Sequence, residues 1–173
     1  ANPESPYALS KYYTEKLAMQ FSDLYDIQTT ALRYFNIFGP RQDPSGEYAA
    51  VIPKFINLMQ NNERPIIYGD GEQSRDFTYI DNAVQANIRA AEGDVTGEIF
   101  NVGCGGRVRI NELVEKLNDI LKTDIKPIYD PPRPGDVRHS HADISKAAKL
   151  LEYGPQVGFE AGLERTVEYY RRM

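Results

Sequence analysis

Segments typical of helices and strands alternate along this chain, and this alternation limits the possible folds more than any other feature. Ser5-Pro6 is a typical helix start, because serine accepts a hydrogen bond from a free backbone N–H and proline suits the first turn. Apolar residues then recur at helical spacing to about Tyr25, and residues 27–35 are rich in β-branched and aromatic side chains. The further predicted elements are helices over 51–59, 81–91, 111–121, 144–151 and 162–172, and short strands over 66–68, 99–102 and 127–129. Such alternation predicts an α/β class with mainly parallel strands.

Prolines, glycines and capping residues mark where these elements end. The predicted loops are residues 36–40, 43–48 and 131–136. Asp81 and Asn111 are predicted N-caps of the helices that follow them. The glycine-rich segment 103–106 is predicted to be a tight turn rather than a dinucleotide loop, because Val108 stands where that pattern requires glycine.

The bulk composition excludes some classes of function. The formal net charge of the 173 residues is −5, whereas proteins that bind nucleic acid usually carry a basic face. Neither nucleic acid nor an anionic membrane is therefore an expected partner, and the longest apolar runs are too short to span a bilayer. Cys104 is the single cysteine, which favours the reducing cytoplasm. The chain begins without an initiator methionine or a signal-peptide pattern, so we expect it to be part of a longer polypeptide.

Tyr7 and Lys11 lie four residues apart, on one face of the first predicted helix. A nearby ammonium group and the positive end of the helix dipole both favour the phenolate form of a tyrosine. Such a phenolate could take a proton from a sugar hydroxyl while a hydride leaves the same carbon. A tyrosine and a lysine on a solvated helix face would show the same spacing, so the pair alone is a weak signal.

Four sequence blocks in a fixed order strengthen this interpretation. They are Pro6-Tyr7-Ala8-Leu9-Ser10-Lys11 and the segments 32–42, 71–81 and 134–138. In this order they resemble the extended short-chain dehydrogenase/reductases, and within them the UDP-sugar 4-epimerases, over nearly the whole chain. The resemblance implies an NAD-dependent enzyme that inverts C4 of a UDP-hexose or UDP-N-acetylhexosamine by transient oxidation to a 4-keto sugar. It also implies a homodimer and a chemistry that requires no metal.

The resemblance implies a role for each matching residue. Tyr7 would be the acid/base at the sugar 4-hydroxyl, Lys11 would hold the nicotinamide ribose, and Tyr34 would lie beside the nicotinamide. The implied substrate-binding residues are Phe35 beside the sugar, Asn36 at the diphosphate, Ala50 and Val51 at the uracil, Tyr68 in the uridine site, Arg75 and Arg133 on the diphosphate, Asp136 at the nucleotide ribose and Ser140 beside the sugar 2-substituent.

Three of these residues carry information of their own. The fork of an arginine binds phosphate oxygens in a bidentate manner, and both Arg75 and Arg133 are predicted to lie on loops, where binding groups tend to occur. Without the sequence blocks, pairing with surface carboxylates would be the expected role of these arginines. Ser140 is small, which resembles enzymes that also admit an N-acetyl group, whereas a large aromatic residue resembles those restricted to UDP-glucose and UDP-galactose.

The resemblance also divides the chain. The family's glycine-rich NAD loop, and the serine or threonine that completes its catalytic set, would lie before Tyr7 and are not in this sequence. The implied fold is the C-terminal part of a Rossmann-type doubly wound sheet plus a smaller α/β substrate-binding domain. Residues 1–38 and 76–103 would be pieces of the NAD-binding domain, and residues 39–75 and 104–173 would form the nucleotide-sugar-binding domain. With most of the NAD site outside it, the chain alone is predicted to be inactive.

Two alternatives stay open on the sequence alone. The first is a stand-alone nucleotide-sugar-binding module without catalysis. The second is a dehydratase or decarboxylase of the same superfamily, which would carry extra acid/base residues beside the tyrosine. The pair His139 and His141, with Asp143 nearby, is weak support for a metal site, and Cys104 is predicted to be a buried small residue rather than a nucleophile.

Overall fold

Helices and short strands alternate in the computed structural model, which describes residue 3 and residues 5–45, 50–133 and 135–172. The helices are α1 (Pro6–Tyr25), α2 (Val51–Gln60), α3 (Ile80–Glu92), α4 (Ile110–Leu121), α5 (Ser145–Leu150) and α6 (Phe159–Tyr170). The strands are β1 (Thr30–Tyr34), β2 (Ile37–Phe38), β3 (Ile66–Tyr68), β4 (Ser74–Arg75), β5 (Thr78–Tyr79), β6 (Glu98–Val102), β7 (Val108–Arg109) and β8 (Ile128–Asp130). The predicted α/β class is confirmed.

The strands pair two by two, and most of the pairs are parallel. β1 runs parallel to β6 with Thr30 opposite Glu98 and Tyr34 opposite Val102. β2 is parallel to β5, and β3 is parallel to β8. β4 and β7 form the one antiparallel pair within the described residues. The parallel pairs join segments that lie far apart in the sequence, as crossover connections do.

Two hydrophobic clusters hold these elements together. The larger one packs α2, α4 and α6 against the strands, with Phe38 and Phe77 buried inside it and the half-buried Phe159 packed against them. The rings of Phe77 and Phe159 stack with centroids 5.5 Å apart, and the ring of Phe38 meets that of Phe159 edge-on at 5.7 Å. The smaller cluster surrounds Phe100 and Tyr153 and packs α5 against β6.

The start of α1 is as predicted, because the side chain of Ser5 accepts a hydrogen bond from the N–H of Ala8 at 3.1 Å. Glu15 is the one buried residue of this helix. It accepts two hydrogen bonds from Arg33 on β1, at 2.6 and 2.8 Å, and these lower the pKa of the Glu15 carboxyl. The apolar side chains of α1 are largely exposed, namely Leu9, Tyr13, Leu17, Phe21 and Leu24.

Both predicted N-caps are wrong. α3 begins at Ile80 after Tyr79, so Asp81 lies inside the first turn, where a carboxylate still favours the helix dipole. α4 begins at Ile110 after Arg109, so Asn111 also lies inside its helix. The Asn111 amide instead donates to the carbonyl of Asp70 at 3.0 Å and to the Glu72 carboxylate at 2.8 Å.

Two boundary predictions also differ from the structure. Residues 37–38 form β2 within the segment predicted as a loop, because they pair with residues 78–79, which no local pattern reveals. α6 begins at Phe159, three residues before the predicted start. The side chain of Phe159 packs against the larger cluster. The predicted loop 43–48 falls partly outside the described residues. Among the described residues, the helices are all too short or too polar to cross a membrane.

Gly162 on α6 provides a direct test of the packing in the larger cluster. A Cβ at this position would lie 2.8 Å from Cδ2 of Tyr79 and 3.0 Å from Cζ of Phe38, and both rings are buried. We expect Gly162→Ala to lower the free energy of unfolding by about 1–3 kcal/mol, because both rings must shift. The higher helix propensity of alanine, worth about 1 kcal/mol, offsets only part of this loss.

Chemical denaturation measures this difference in stability. Gly154→Ala is the matched control, because nothing lies within 4 Å of a Cβ at Gly154. A Gly162→Ala variant as stable as the Gly154→Ala variant would contradict the packing of α6 described above.

Candidate functional site

A cavity of about 430 Å³ opens between the start of α2, the end of β3 and the loop that follows β8. Six residues of the predicted substrate site line it, although they lie up to 100 positions apart in the chain. They are Asn36, Val51, Tyr68, Arg75, Arg133 and Asp136. The structure therefore brings together half of the twelve predicted site residues in one place.

The lining residues lie where secondary-structure elements begin or end. Tyr68 is the last residue of β3, and Val51 is the first residue of α2. Arg75 is the last residue of β4, so the prediction that it lies on a loop is wrong, because Ser74 and Arg75 pair with residues 108–109. Asn36 joins β1 to β2, and its carbonyl accepts the N–H of Thr78 at 3.1 Å. Ligand sites of open α/β sheets lie at such carboxyl ends of strands.

Arg75 and Asp136 form an ion pair across the cavity. Nη2 of Arg75 donates to Oδ1 of Asp136, and Nη1 donates to the carbonyl of Ser74 at 3.0 Å. The side chain of Arg75 is 15% exposed and that of Asp136 is 40% exposed, so the pair is only partly screened by water. The two residues that the resemblance assigns to the diphosphate and to the ribose thus bind each other in this structure.

The guanidinium group of Arg133 lies over the ring of Tyr68. The guanidinium carbon is 3.8 Å from the centroid of the Tyr68 ring, a distance at which a cation and an aromatic face attract each other. The loop that carries Arg133 is fixed close by, since the N–H of Asp136 donates to the Arg133 carbonyl at 3.3 Å. An aromatic face and a planar cation therefore form one wall of the cavity.

Two polar residues of the cavity were missed in the sequence. Lys54 follows Val51 by three residues, near the start of α2, and it also lines the cavity. Gln73 is 8% exposed and donates from Nε2 to the carbonyl of Tyr68 at 2.8 Å, which fixes the end of β3. The position of Lys54 on the same helix face as Val51 could have revealed it. Gln73 was hidden inside the block 71–81 and has no local signal of its own.

The electrostatics of the cavity favour an anion. Lys54, Arg75 and Arg133 contribute three positive charges to its lining and Asp136 contributes one negative charge, which leaves a local charge of +2. The whole chain has a net charge of −5, so this concentration of cations is a local feature. Guanidinium groups also match the geometry of phosphate oxygens.

Tyr7 and Lys11 lie outside this cavity, on the exposed side of α1. Nζ of Lys11 is 5.5 Å from the centroid of the Tyr7 ring, a distance at which a cation and an aromatic ring still attract each other. The Tyr7 side chain is 72% exposed. Tyr34 borders a second cavity of about 370 Å³ between β1 and α3, where its hydroxyl lies 2.9 Å from Oδ1 of Asn87. All three predicted residues are exposed, and none of them lines the first cavity.

The other predicted residues are neighbours of the first cavity. Ala50 precedes α2 directly, and Phe35 precedes Asn36 with its N–H bound to the carbonyl of Val102 at 2.9 Å. Ser140 is half-buried, and its N–H donates to the carbonyl of Ser74 at 3.0 Å. None of the three is part of the cavity lining.

The histidines and the cysteine are engaged elsewhere. Nδ1 of His139 lies 2.9 Å from Oγ of Ser74, and Nε2 of His141 lies 3.0 Å from the carbonyl of Gly105. No group of three metal-ligating side chains occurs among the described residues. Burial and the nearby Asp76 raise the pKa of the Cys104 thiol, which disfavours a thiolate nucleophile.

Asp70 and Arg138 form a bidentate ion pair beside the first cavity. Nη1 and Nη2 of Arg138 donate to Oδ1 and Oδ2 of Asp70 at 2.7 and 2.8 Å. These bonds, with a further one from the N–H of Glu72, lower the pKa of Asp70 from its usual 3.8 to about 2. Since the carboxyl titrates lower in the folded state, the pair stabilises the structure above pH 4 and this contribution is lost towards pH 2.

The side-chain carboxyl resonance of Asp70 reports this titration directly. We expect NMR to give a pKa of about 2 for Asp70 in the unsubstituted chain, and a clearly higher pKa in Arg138→Gln, because the variant lacks the two charged donors. Arg109→Gln, which removes an ion pair with Glu72, is the control and should change the Asp70 titration far less. An unsubstituted chain in which Asp70 titrates at its usual value would contradict the ion pair.

Comparison with known proteins places this architecture among enzymes of one family. Residues 1–103 match the model of the NAD dependent epimerase/dehydratase family. The UDP-glucose 4-epimerase of Thermotoga maritima, solved with UDP-glucose, is 44% identical with a TM-score of 0.95 and is matched over 99% of this chain and 55% of that chain. The UDP-N-acetylglucosamine 4-epimerase of Methanobrevibacter ruminantium M1, solved with UDP-N-acetylmuramic acid, is 46% identical with a TM-score of 0.94, over 99% of this chain and 56% of that chain.

A relative with a different activity shows the breadth of the similarity. The UDP-N-acetyl-alpha-D-glucosaminuronate decarboxylase of Bacillus cytotoxicus is 32% identical over 96% of this chain and 53% of its own length. This chain spans about half the length of the curated relatives that it matches. The predicted Rossmann-type fold class is confirmed by these matches.

Proposed function

This chain belongs to the NAD dependent epimerase/dehydratase family, and on that premise we propose that it is the C-terminal portion of an NAD-dependent UDP-sugar 4-epimerase. The enzyme would invert C4 of a UDP-hexose or UDP-N-acetylhexosamine by transient oxidation to a 4-keto sugar. One observation carries the proposal, namely the cavity that Lys54, Arg75 and Arg133 line together with an aromatic ring and a single carboxylate. Its positive charge complements a diphosphate, and its aromatic ring suits a nucleoside.

Each part of such a ligand has a partner in the cavity. Arg75 and Arg133 would bind the diphosphate, whose two negative charges balance the local charge of +2. Tyr68 would present its ring to the uridine, and Asp136 would accept hydrogen bonds from the ribose hydroxyls. Asn36 would donate to a phosphate oxygen, and Ala50 and Val51 would contact the uracil.

The ligand would replace contacts that the side chains of the cavity already make with one another. Arg75 would release Asp136 for the ribose and take phosphate oxygens in its place. Arg133 would turn from the Tyr68 ring towards the diphosphate and leave that face to the base. The side chains are therefore held near their working positions before the ligand arrives, which lowers the entropic cost of ordering them.

The chemistry is assigned to the exposed face of α1. Tyr7 would accept the proton of the sugar 4-hydroxyl and return it to the same oxygen after the sugar has presented its other face. Lys11, whose Nζ lies 5.5 Å from the centroid of the Tyr7 ring, would stabilise the phenolate and bind the nicotinamide ribose. NAD, when bound, supplies reversible acceptance of the C4 hydride. The side chains of Tyr7, Lys11 and Tyr34 are all exposed, so they are free to meet a cofactor held mainly by a segment outside this chain.

The division into two domains stays part of the proposal. α1, β1, α3 and β6, within residues 1–38 and 76–103, would belong to the NAD-binding domain. α2, α4 and α6, within residues 39–75 and 104–173, pack together in the larger cluster and would form the nucleotide-sugar-binding domain. Phe38 and Phe77 of the first set are part of the same cluster. α5 belongs to the second set by sequence, but it packs on β6 of the first, and so joins the two. A homodimer of the complete enzyme also remains proposed.

A decarboxylase or dehydratase is the second candidate, because the similarity to the Bacillus cytotoxicus decarboxylase covers almost the whole chain. A binding module without catalysis is the third, and it would bind UDP but never need Tyr7. Product analysis with UDP-glucose, UDP-N-acetylglucosamine and their glucuronate forms, on a protein that carries the NAD-binding segment together with this chain, separates these candidates. An epimerase converts the substrate to its 4-epimer. A decarboxylase releases CO₂ from the sugar, a dehydratase releases water from it, and a binding module leaves it unchanged.

Calorimetric titration with UDP tests the proposed cavity. We expect Arg75→Gln and Arg133→Gln each to weaken UDP binding by about tenfold or more, because a charge-assisted bond to phosphate is lost. UMP should bind the unsubstituted chain more weakly than UDP, because UMP lacks the second phosphate group and leaves one arginine without a phosphate partner. Arg107→Gln, outside the cavity lining, is the control for the loss of one positive charge. Equal affinities in all four proteins would contradict a diphosphate site here.

The size of residue 140 is expected to set the choice of sugar. In a protein that carries the NAD-binding segment together with this chain, Ser140→Tyr should remove turnover of UDP-N-acetylglucosamine and retain turnover of UDP-glucose, because a ring at this position fills the space of the N-acetyl group. Ser140→Ala is the control and should retain both. Kinetics that show no turnover of either N-acetylated sugar by the unsubstituted enzyme would contradict this assignment.

A further inference from the structure

The segment 135–142 carries two residues of the proposed site, Asp136 and Ser140, yet little of it is regular structure. Individual hydrogen bonds and ion pairs therefore attach this segment to the rest of the molecule. Two backbone bonds hold it to β4, where Ser74 donates to the carbonyl of Arg138 at 3.0 Å and accepts the N–H of Ser140 at 3.0 Å. They form an isolated parallel bridge between Ser74 and His139. A ladder of two bonds is short, so side chains must contribute to its register.

The bidentate pair of Asp70 and Arg138 lies directly beside this short ladder. Arg138 is the residue whose carbonyl accepts the Ser74 N–H, and its guanidinium reaches Asp70 at 2.7 and 2.8 Å. Asp70 is itself held in place, because its carboxylate accepts the N–H of Glu72 at 3.0 Å and its carbonyl accepts the Asn111 amide at 3.0 Å. The anchor point is thus fixed independently of the segment that it holds.

Asp70 also belongs to the other side of the cavity. The turn 69–73 joins Tyr68 at the end of β3 to Ser74 and Arg75 on β4. The ion pair therefore connects the strand ends that present Tyr68 and Arg75 with the segment that presents Asp136 and Ser140. Neither Asp70 nor Arg138 lines the cavity, so any effect on a ligand must act through these neighbours.

We propose that Asp70 and Arg138 are a positioning pair that fixes the 135–142 segment against β4 and thereby places Asp136 and Ser140 for the nucleotide sugar. The inference rests on the function proposed above, and it extends that function to two residues that do not touch the ligand. The fork geometry of the pair defines both a distance and an orientation, which a single-point contact would not. His139, bound through Nδ1 to Oγ of Ser74, supports the same register from the next position.

The neighbouring pair of Glu72 and Arg109 is a natural control. Nη1 of Arg109 lies 3.0 Å from Oε2 of Glu72, with side-chain exposures of 53% and 44%, close to the 56% and 54% of Arg138 and Asp70. It ties the same turn to β7, on the opposite side of β4 from the 135–142 segment. Arg109→Gln therefore removes an ion pair of similar exposure and leaves the contacts between β4 and the 135–142 segment in place.

The experiment compares Asp70→Asn, Arg138→Gln, the charge-exchanged double variant Asp70→Arg with Arg138→Asp, and Arg109→Gln. Hydrogen exchange at the amides of Ser74 and Ser140 reports the attachment without any ligand. UDP titration reports its consequence for binding. Both single variants should speed exchange at the two amides and raise the Kd for UDP by about threefold to fivefold, the size expected for one surface ion pair.

A charge exchange separates positioning from a general loss of stability. The double variant restores the ion pair but lacks the acceptor for the Glu72 N–H, so it should recover part of the amide protection and UDP affinity. Arg109→Gln should retain both. Unchanged exchange at Ser74 and Ser140 in the single variants, or equal losses in Arg109→Gln, would overturn the proposal. Failure of the unsubstituted chain to bind UDP would instead overturn the proposed function on which the inference rests, so the two failures are distinct.

Discussion

The buried carboxylate of Asp76 is the interaction on which the architecture around the candidate site depends. Asp76 is 1% exposed, and it accepts backbone N–H groups from Cys104 at 2.8 Å, Gly105 at 3.0 Å and Ala142 at 3.1 Å. A buried carboxylate is costly unless such donors surround it. The same contacts join the segment after β4 to the turn after β6 and to the end of the 135–142 segment. Gly103 makes this approach possible, because a Cβ there would lie 2.5 Å from Cβ of Ala142 and 2.8 Å from the Asp76 carboxylate.

The two arginines of the cavity are bound to other residues of its lining. Arg75 is paired with Asp136, and Arg133 lies on the Tyr68 ring at 3.8 Å. These contacts offset the mutual repulsion of the arginines when no anion is present, and each can be replaced by one to a phosphate. The site thus combines a local excess of positive charge with a stable fold in a chain that is acidic as a whole. Electrostatics of this kind favour binding of an anion over a general affinity for nucleic acid.

Helices with strong local signals were predictable from the sequence, and the elements made by distant pairing were not. Ser5-Pro6 defines the start of α1 through local hydrogen bonding, and this prediction is confirmed. β2, β4, β5 and β7 contain two residues each, and their existence depends on partners far along the chain. The predicted N-caps Asp81 and Asn111 each lie two residues after the observed ones, Tyr79 and Arg109. Asn111 binds Asp70 and Glu72 instead of capping its own helix.

The candidate site was predictable only in part, for a similar reason. Arg75, Arg133 and Asp136 lie in sequence blocks whose order resembles that of a family, and the structure brings them together with Asn36, Val51 and Tyr68. Gln73 enters the cavity because its side chain bonds the end of β3, which only the fold reveals. Tyr7 and Lys11, the pair with the clearest chemical meaning in the sequence, lie outside the cavity on the exposed face of α1.

NMR shift mapping with UDP tests the central claim most directly, because it locates the ligand on the chain residue by residue. If the cavity between α2, β3 and β4 binds the nucleotide diphosphate, the backbone signals of Val51, Tyr68, Arg75 and Asp136 will move on addition of UDP, and those of Thr30 and Asn87 will stay in place. The account would be contradicted if the changes were concentrated in the groove between β1 and α3, where Thr30 and Asn87 lie.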